Sequence, residues 1–257
     1  MHTLPTADHA HHRAHPSNTA HTAPAAQPGL HPSRLVVDAP MRMFHWLFAL
    51  SFLGAYLSAD SERWRLLHLT LGYTLAGLLV FRLLYGVLGP RPVRLAALRR
   101  RLSGLGAWLH SLAQLRALGQ IHWRQGQNLL TALAVVSLLT LVVPLTLTGY
   151  ASDHSWGDFL GGDWVNALHE WLGEAMLAIV LLHLALIAGL SLLRRKNQAL
   201  PMLTGRLPGA GPDLVQKNRP WLAAALLLAV LAYGAWEWQQ SPQGLIPTKS
   251  IALKETP

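Results

Sequence analysis

The sequence of residues 164–193 is WVNALHEWLGEAMLAIVLLHLALIAGLSLL, an apolar stretch in which two glutamates are the only charged side chains. A segment of about 20 apolar residues crosses a bilayer as an α-helix. Two histidines, His169 and His183, lie fourteen residues apart in it. Fourteen residues are nearly four helical turns, so both lie on one face, about 21 Å apart along the axis. The stretch therefore predicts a membrane helix that presents two imidazoles at two depths.

The rest of the chain contains four more apolar segments of similar character. They lie at roughly residues 41–59, 64–88, 128–150 and 220–238. Only 13% of the 257 residues are charged, whereas about a quarter is usual in soluble domains. These features predict an all-α integral membrane bundle with five transmembrane helices, four in a core and a fifth at the C-terminal end.

Charge and cysteine content exclude several function classes. The net charge of +9 does not indicate nucleic-acid binding, because the basic residues lie in the connections between apolar segments. The chain has no cysteine. This excludes disulfides, iron–sulfur clusters, zinc–thiolate sites and covalently attached c-type haem.

The domain organisation follows from these segments and from local composition. Asp38 and Pro40 have the pattern of a helix start, with an N-cap residue and a proline in the first turn. Part of residues 91–126, rich in Arg, Leu and Ala, is expected to form an amphipathic interfacial helix. The predicted parts are a disordered His/Pro/Ala-rich tail (1–36), a four-helix membrane domain (37–196), a loop (197–219), the fifth transmembrane helix (220–238) and a polar tail (239–257). The first tail is compatible with metal sequestration or with a solvated linker.

The orientation follows from the distribution of positive charge. The connections between the second and third and between the fourth and fifth segments carry seven and six Lys/Arg, respectively, and the connection between the third and fourth carries none. Cytoplasmic loops of membrane proteins are enriched in Lys and Arg. We therefore expect a cytoplasmic N-terminus and a C-terminal tail on the outer side.

Four histidines fall inside the predicted spans, where ionisable side chains are costly and usually functional. With the predicted orientation, His68 and His169 lie toward the outer side, and His45 and His183 lie toward the cytoplasmic side. Two imidazoles facing each other across a helix bundle can ligate a low-spin b-type haem, one on each side of the iron. The pattern therefore predicts two noncovalent bis-histidine haems, an outer pair and an inner pair of ligands.

Two alternatives remain for the four histidines. They could form a buried hydrogen-bonded network, or they could bind another metal, although zinc or copper prefers its ligands at one depth. Small residues that could make room for a macrocycle stand four positions after three of them, at Ala49, Gly72 and Gly173.

Charged residues in the same spans complete the candidate site. Arg42 precedes His45 by one turn, and Arg82 follows His68 by fourteen residues and so reaches the inner depth. Both could pair with carboxylates of the inner haem. Arg42 is equally compatible with an interfacial anchor, and Arg82 with a snorkelling side chain. Glu170 and Glu174 are compatible with solvated surface residues or with proton transfer.

The motifs resemble the bacterial cytochrome b-561 and nickel–iron hydrogenase cytochrome b family over about residues 38–240. The resemblance lies in the following motifs: Arg42-Met-Phe-His45-Trp46, Leu67-His68-x3-Gly72-Tyr73, Phe81-Arg82-Leu-Leu-Tyr-Gly86-x2-Gly89-Pro90-Arg91, Leu168-His169-x13-His183 and Thr204-Gly205-Arg206. Gly126-Gln127-Asn128-Leu129 stands where family members often have a Gly-His-Asn-Pro-like sequence. The fifth span is absent from the hydrogenase and formate dehydrogenase subunits, so the partner can differ.

The resemblance implies a multi-pass protein of the bacterial inner membrane with two haems b on His45, His68, His169 and His183. It implies electron transfer between a quinone pool and a redox partner, such as a c-type cytochrome or a dehydrogenase or hydrogenase subunit. A subunit of an oxidoreductase fits better than a stand-alone enzyme. The alternatives are a self-sufficient superoxide:quinone oxidoreductase and a haem-free structural or transport protein in contact with membrane lipid.

Overall fold

The computed structural model describes residues 32–113, 123–160 and 163–241. The long helices are α1 (Ala39–Ser58), α2 (Arg65–Leu88), α5 (Trp123–Asp153), α7 (Trp164–Arg194) and α9 (Pro220–Gln240). The shorter ones are α3 (Leu95–Leu102), α4 (Leu105–Ala113), α6 (Trp156–Leu160) and α8 (Leu200–Thr204), with 3-10 turns at Glu62–Trp64 and Arg91–Val93. Two short strands, β1 (Ser33–Leu35) and β2 (Arg206–Pro208), complete the described part.

The long helices coincide with the five apolar segments predicted from the sequence. Within the described residues, four segments are long and apolar enough to cross a membrane: Glu62–Leu88, Gly126–Asp153, Trp164–Arg194 and Pro220–Gln240. Helix α1 is not among these four, because Arg42, His45 and Trp46 lower the hydropathy of its first turns. The all-α membrane bundle is confirmed, and a membrane-spanning α1 stays a prediction.

The bundle consists of two helical hairpins. Helix α1 packs against α2, and α5 packs along α7; the hairpins meet mainly where α2 contacts α5. Helix α7 makes only sparse backbone contact with α1 and α2, so a seam runs between the hairpins. Helix α9 covers the side of α1.

An apolar core holds the two hairpins together in the middle of the bundle. It consists of Phe52 from α1, Leu75 and Leu79 from α2, Val142 and Leu145 from α5, and Leu172 and Met176 from α7. Helix α5 continues through Pro144, and the Thr148 hydroxyl donates to the Pro144 carbonyl at 2.8 Å. The core residues of α7 lie between its two histidines, so packed apolar side chains separate the two histidine levels.

A small antiparallel sheet joins the start of the described chain to the loop before α9. Ser33 pairs with Pro208 and Leu35 with Arg206. Residues 33–36 were expected in the disordered tail, and residues 197–219 in a loop. The pairing could not be predicted, because three-residue strands carry no usable periodicity. Gly205, with φ of +79°, accepts hydrogen bonds from Val36 N and Val37 N at its carbonyl. The pairing places both segments at one end of the bundle.

The Asp38 carboxylate connects several helices at that end of the bundle. It caps α1 as predicted, accepting from Met41 N at 3.3 Å, and its side chain is completely buried. The Tyr85 hydroxyl of α2 donates to the same carboxylate. The Arg219 guanidinium, at the start of α9, lies 4.0 Å from it. One carboxylate therefore links three long helices.

Replacing Asp38 is expected to destabilise the bundle. Asp38→Ala removes the cap and leaves the Tyr85 hydroxyl without its acceptor, which costs about 1–3 kcal/mol. Asp38→Asn keeps a capping oxygen and should retain most of the stability. Asp60→Ala, at an exposed position beyond the other end of α1, is the control. Thermal unfolding in detergent, followed by circular dichroism, measures the effect; equal midpoints for Asp38→Ala and Asp60→Ala would contradict it.

Candidate functional site

The outer histidine pair lies where α2 faces α7. The ring centroids of His68 and His169 are 6.0 Å apart, and the ring planes are nearly perpendicular, at 85°. Helix α2 carries its histidine in the first turn, and α7 carries its histidine in the second turn. The structure thus brings together the two outer histidines that the sequence predicted to be partners.

Backbone carbonyls set the orientation of both outer rings. His68 Nδ1 lies 2.8 Å from Ala55 O of α1. His169 Nδ1 lies 3.1 Å from Leu145 O of α5 and 3.3 Å from the Thr148 hydroxyl. A carbonyl oxygen only accepts hydrogen bonds, so in each ring Nδ1 carries the proton and Nε2 keeps its lone pair. Such a carbonyl contact is the usual support of a metal-binding histidine.

The spacing of the outer pair suits one metal ion between two imidazoles. Two metal–imidazole bonds of about 2 Å each, extended to the ring centres, span roughly 6 Å. The described residues contain no group of three or more His, Cys, Asp or Glu side chains that could hold a metal ion. Two facing imidazole nitrogens are also the ligands that hold a low-spin haem iron.

The inner pair, His45 on α1 and His183 on α7, lies close enough for the two imidazoles to interact electrostatically. Both Nδ1 atoms are buried and have no hydrogen-bond partner in the described part of the chain. The edge of the His45 ring contacts Trp46, with ring centroids 5.4 Å apart. Leaving a buried ring nitrogen without a partner costs about 1–3 kcal/mol. The inner imidazoles therefore lack the carbonyl contacts at Nδ1 that orient the outer pair, within the described part of the chain.

Both arginines predicted for the site lie at the inner end. The Arg82 side chain is only 6% exposed, and its Nη1 is buried without a partner among the described residues. Arg42 Nη1 donates to Leu203 O at 3.2 Å, while its Nε is buried without a described partner. The buried guanidinium of Arg82 is costly unless an anion accompanies it, and the half-buried Arg42 has one donor without a described partner. Both residues can therefore hold an anionic group of a bound ligand.

Glycines adjust the space around the histidines. No described atom lies within 4 Å of a Cβ added at Gly72 or Gly173, which follow His68 and His169 by one turn. At Gly149, an added Cβ would lie 2.9 Å from His169 Cε1. The sequence gives no signal that Gly149 lies against the His169 ring, because Gly149 is on α5, which carries none of the four histidines.

The Gly126-Gln127-Asn128 segment, which departs from the family pattern, contacts the end of α7. Arg194 Nη2 donates to Gln127 Oε1 at 3.2 Å and to Asn128 Oδ1 at 3.1 Å. Gly126 itself lies directly against the Trp108 ring of α4. In this chain the position therefore joins the start of α5 to the end of α7.

Other histidines lie away from the two pairs. His154 stacks on Tyr150 with ring centroids 4.0 Å apart, beyond the outer pair along α5. His110 lies on α4. His122 and the seven histidines of the predicted N-terminal tail lie outside the described residues.

Comparison with protein families gives one match. Residues 36–205 match the family model described as prokaryotic cytochrome b561. Comparisons with curated proteins and with solved structures find no match. The matched range covers more than half of the chain and includes all four histidines and both arginines.

Gly149→Ala is expected to disturb the outer site. The added methyl group must displace the His169 ring, so binding of a haem through this imidazole should weaken and the low-spin haem absorbance should fall. Alanine favours helix more than glycine, so a weaker helix does not explain a loss. Gly77→Ala, where the added Cβ meets no described atom within 4 Å, is the control. An unchanged spectrum for Gly149→Ala would show that the His169 ring does not need this space.

Proposed function

Because this chain belongs to the prokaryotic cytochrome b561 family, we propose that it is a di-haem membrane cytochrome that carries electrons between a quinone pool and a redox partner protein. Haem b is the cofactor of that family and supplies an iron that gains and loses one electron at a time. We propose that it binds two haems, that four histidines ligate them, and that a quinone and a partner protein exchange electrons with them.

The outer histidine pair carries the proposal. Its rings are 6.0 Å apart, and each Nδ1 is hydrogen-bonded to a backbone carbonyl. The carbonyl contacts orient both rings and leave each Nε2 available to a ligand. His68 and His169 would therefore hold one haem through their Nε2 atoms.

The second haem would bind between His45 and His183. The unpartnered nitrogens of this pair and of Arg42 and Arg82 support the assignment. The guanidinium groups would pair with the haem carboxylates, and their positive charge would favour the reduced form of this haem.

The two sites would form a path across most of the membrane. Their ligands on α7 are about 21 Å apart along the helix, and the hydrocarbon core is about 30 Å thick. The apolar cluster around Leu172 and Met176 lies between them. It would exclude water from the space through which electrons pass.

The proposed setting is the bacterial inner membrane, with the N-terminus cytoplasmic and the C-terminal tail periplasmic. The β1–β2 pairing supports a common side for the N-terminal segment and the basic loop before α9. A superoxide:quinone oxidoreductase would need a basic approach to the outer haem. Arg65, near His68, is instead paired with Asp153 at 3.2 Å, which favours an electron-transfer subunit over that enzyme.

Removing single histidines tests the two-haem proposal. Wild-type protein should contain two haems b per chain in a pyridine haemochrome assay. His68→Ala or His169→Ala should each remove the outer haem, because one axial ligand is lost while the other site lies about 21 Å away. His45→Ala or His183→Ala should each remove the inner one. Redox titration should then show one surviving potential, shared within a pair and different between pairs.

His154→Ala is the control for these variants, because it removes an imidazole at the outer end that belongs to neither pair. It should leave both potentials in place. A wild-type content below about 1.5 haems per chain would contradict the two-haem model. Loss of the same haem in His68→Ala and His183→Ala would contradict the pairing.

Cysteine labelling tests the orientation. The chain has no cysteine, so Asp158→Cys and Arg100→Cys each introduce one reactive site. A membrane-impermeant maleimide added to intact spheroplasts should label the variant at position 158, and only lysed cells should show labelling at position 100. The reverse pattern would mean that the membrane orientation is inverted, so the pair called outer would lie on the cytoplasmic side.

A further inference from the structure

We propose that Tyr56 and Glu174 form a binding and proton-exchange site for the headgroup of a membrane quinone beside the outer histidine pair. This inference rests on the proposed function and specifies where the quinone binds. The two side chains are hydrogen-bonded, with Tyr56 Oη donating to Glu174 Oε1 at 2.8 Å.

The pair lies in the seam between the two hairpins. Tyr56 belongs to the last turn of α1, and Glu174 lies in the outer third of α7. These helices make only sparse backbone contact with each other. The Tyr56–Glu174 hydrogen bond therefore joins α1 of one hairpin to α7 of the other.

The seam is polar at this point and apolar further in. Glu174 is exposed, whereas Phe52, one turn before Tyr56 on the same face of α1, belongs to the apolar core. A ligand suited to this place has a small polar headgroup and an apolar body. It must also offer both a hydrogen-bond donor and an acceptor, because the protein presents a hydroxyl and a carboxylate.

The pair is adjacent to the outer imidazoles on both helices. Ala55, the residue before Tyr56, provides the carbonyl that binds His68 Nδ1. Glu174 follows His169 by five residues on α7, about 7.5 Å along the axis. A headgroup held by Tyr56 and Glu174 would thus lie next to the outer haem.

The chemistry of a hydroquinone matches these two groups. When a hydroquinone is oxidised to a quinone, its two O–H bonds break, and it releases two electrons and two protons. A haem held by His68 and His169 would be the oxidant and would accept the electrons one at a time. The Glu174 carboxylate accepts each proton and passes it to water at its exposed face. The Tyr56 hydroxyl donates to the quinone carbonyl that forms.

The acidic groups around the pair favour outward release of the proton. Asp60, beyond the end of α1, interacts electrostatically with Tyr56, and Glu170 lies one turn before Glu174 on the same helix. Both carry negative charge toward the outer surface. They attract the released proton away from the seam.

Binding of a short-chain quinone to the haem-loaded protein tests the site. Decylubiquinone, and in parallel a short-chain naphthoquinone, is titrated into the detergent-solubilised protein in a calorimeter. Tyr56→Phe and Glu174→Gln each remove one hydrogen-bonding function, so the Kd should rise about tenfold in each. The rate of haem reduction by decylubiquinol should fall in parallel, while reduction by dithionite and the haem content should not change.

Matched controls separate this site from general effects. Tyr73→Phe removes another hydroxyl bonded to an outer acid, Asp153, and Glu62→Gln removes an exposed acid at the same end of the bundle. Neither should change the Kd. If the wild-type protein binds the quinone and the Tyr56 and Glu174 variants bind it equally well, the site is wrong and the proposed function stands. If the wild-type protein neither binds nor is reduced by either quinone, the quinone partner of the proposed function is wrong, and this site fails with it.

Discussion

The outer part of the bundle depends on the way two imidazoles satisfy their hydrogen bonds in an apolar surrounding. Ring nitrogens within a membrane helix need partners, because lipid provides none. His68 of α2 uses the Ala55 carbonyl of α1, and His169 of α7 uses the Leu145 carbonyl of α5. The first contact joins α2 to α1 and the second joins α7 to α5, so each lies within one hairpin. They also leave Nε2 of each ring available to a ligand. The same hydrogen bond therefore packs two helices together and orients an imidazole for ligand binding.

The inner half of the bundle is organised differently. His45 and His183 are not tied to carbonyls, and Arg42 and Arg82 retain buried nitrogens without described partners. The order at this end comes instead from Asp38, which joins α1, α2 and the start of α9. The structure thus has one end whose imidazoles are oriented by backbone carbonyls and another that is joined through the Asp38 carboxylate. On the proposed function, haem binding contributes more to the order of the inner end than to that of the outer end.

The seam between the hairpins is a line of sparse backbone contact. Because α7 packs along α5 and only sparsely against α1 and α2, the ligand helices can stand apart by the width that a flat cofactor requires. The central apolar cluster closes the seam between the two levels. Toward the outer end of the seam, Tyr56 of α1 and Glu174 of α7 are hydrogen-bonded to each other. His169, the core residues Leu172 and Met176, and His183 therefore follow one another along one surface of α7.

The sequence by itself determined the helices, the cap at Asp38 and the two histidine levels. Helix length in a membrane is set by bilayer thickness, and the face and depth of a side chain follow from the helical repeat. The sequence could not reveal the β1–β2 pairing, the Asp38–Tyr85 contact or the proximity of Gly149 to His169. The proximity of Tyr56 to Glu174 was equally hidden. Each of these joins residues that are distant in the chain, so no local period records it. Only the tertiary structure decided which carbonyl faces which imidazole, because that depends on how the helices rotate and pack against one another.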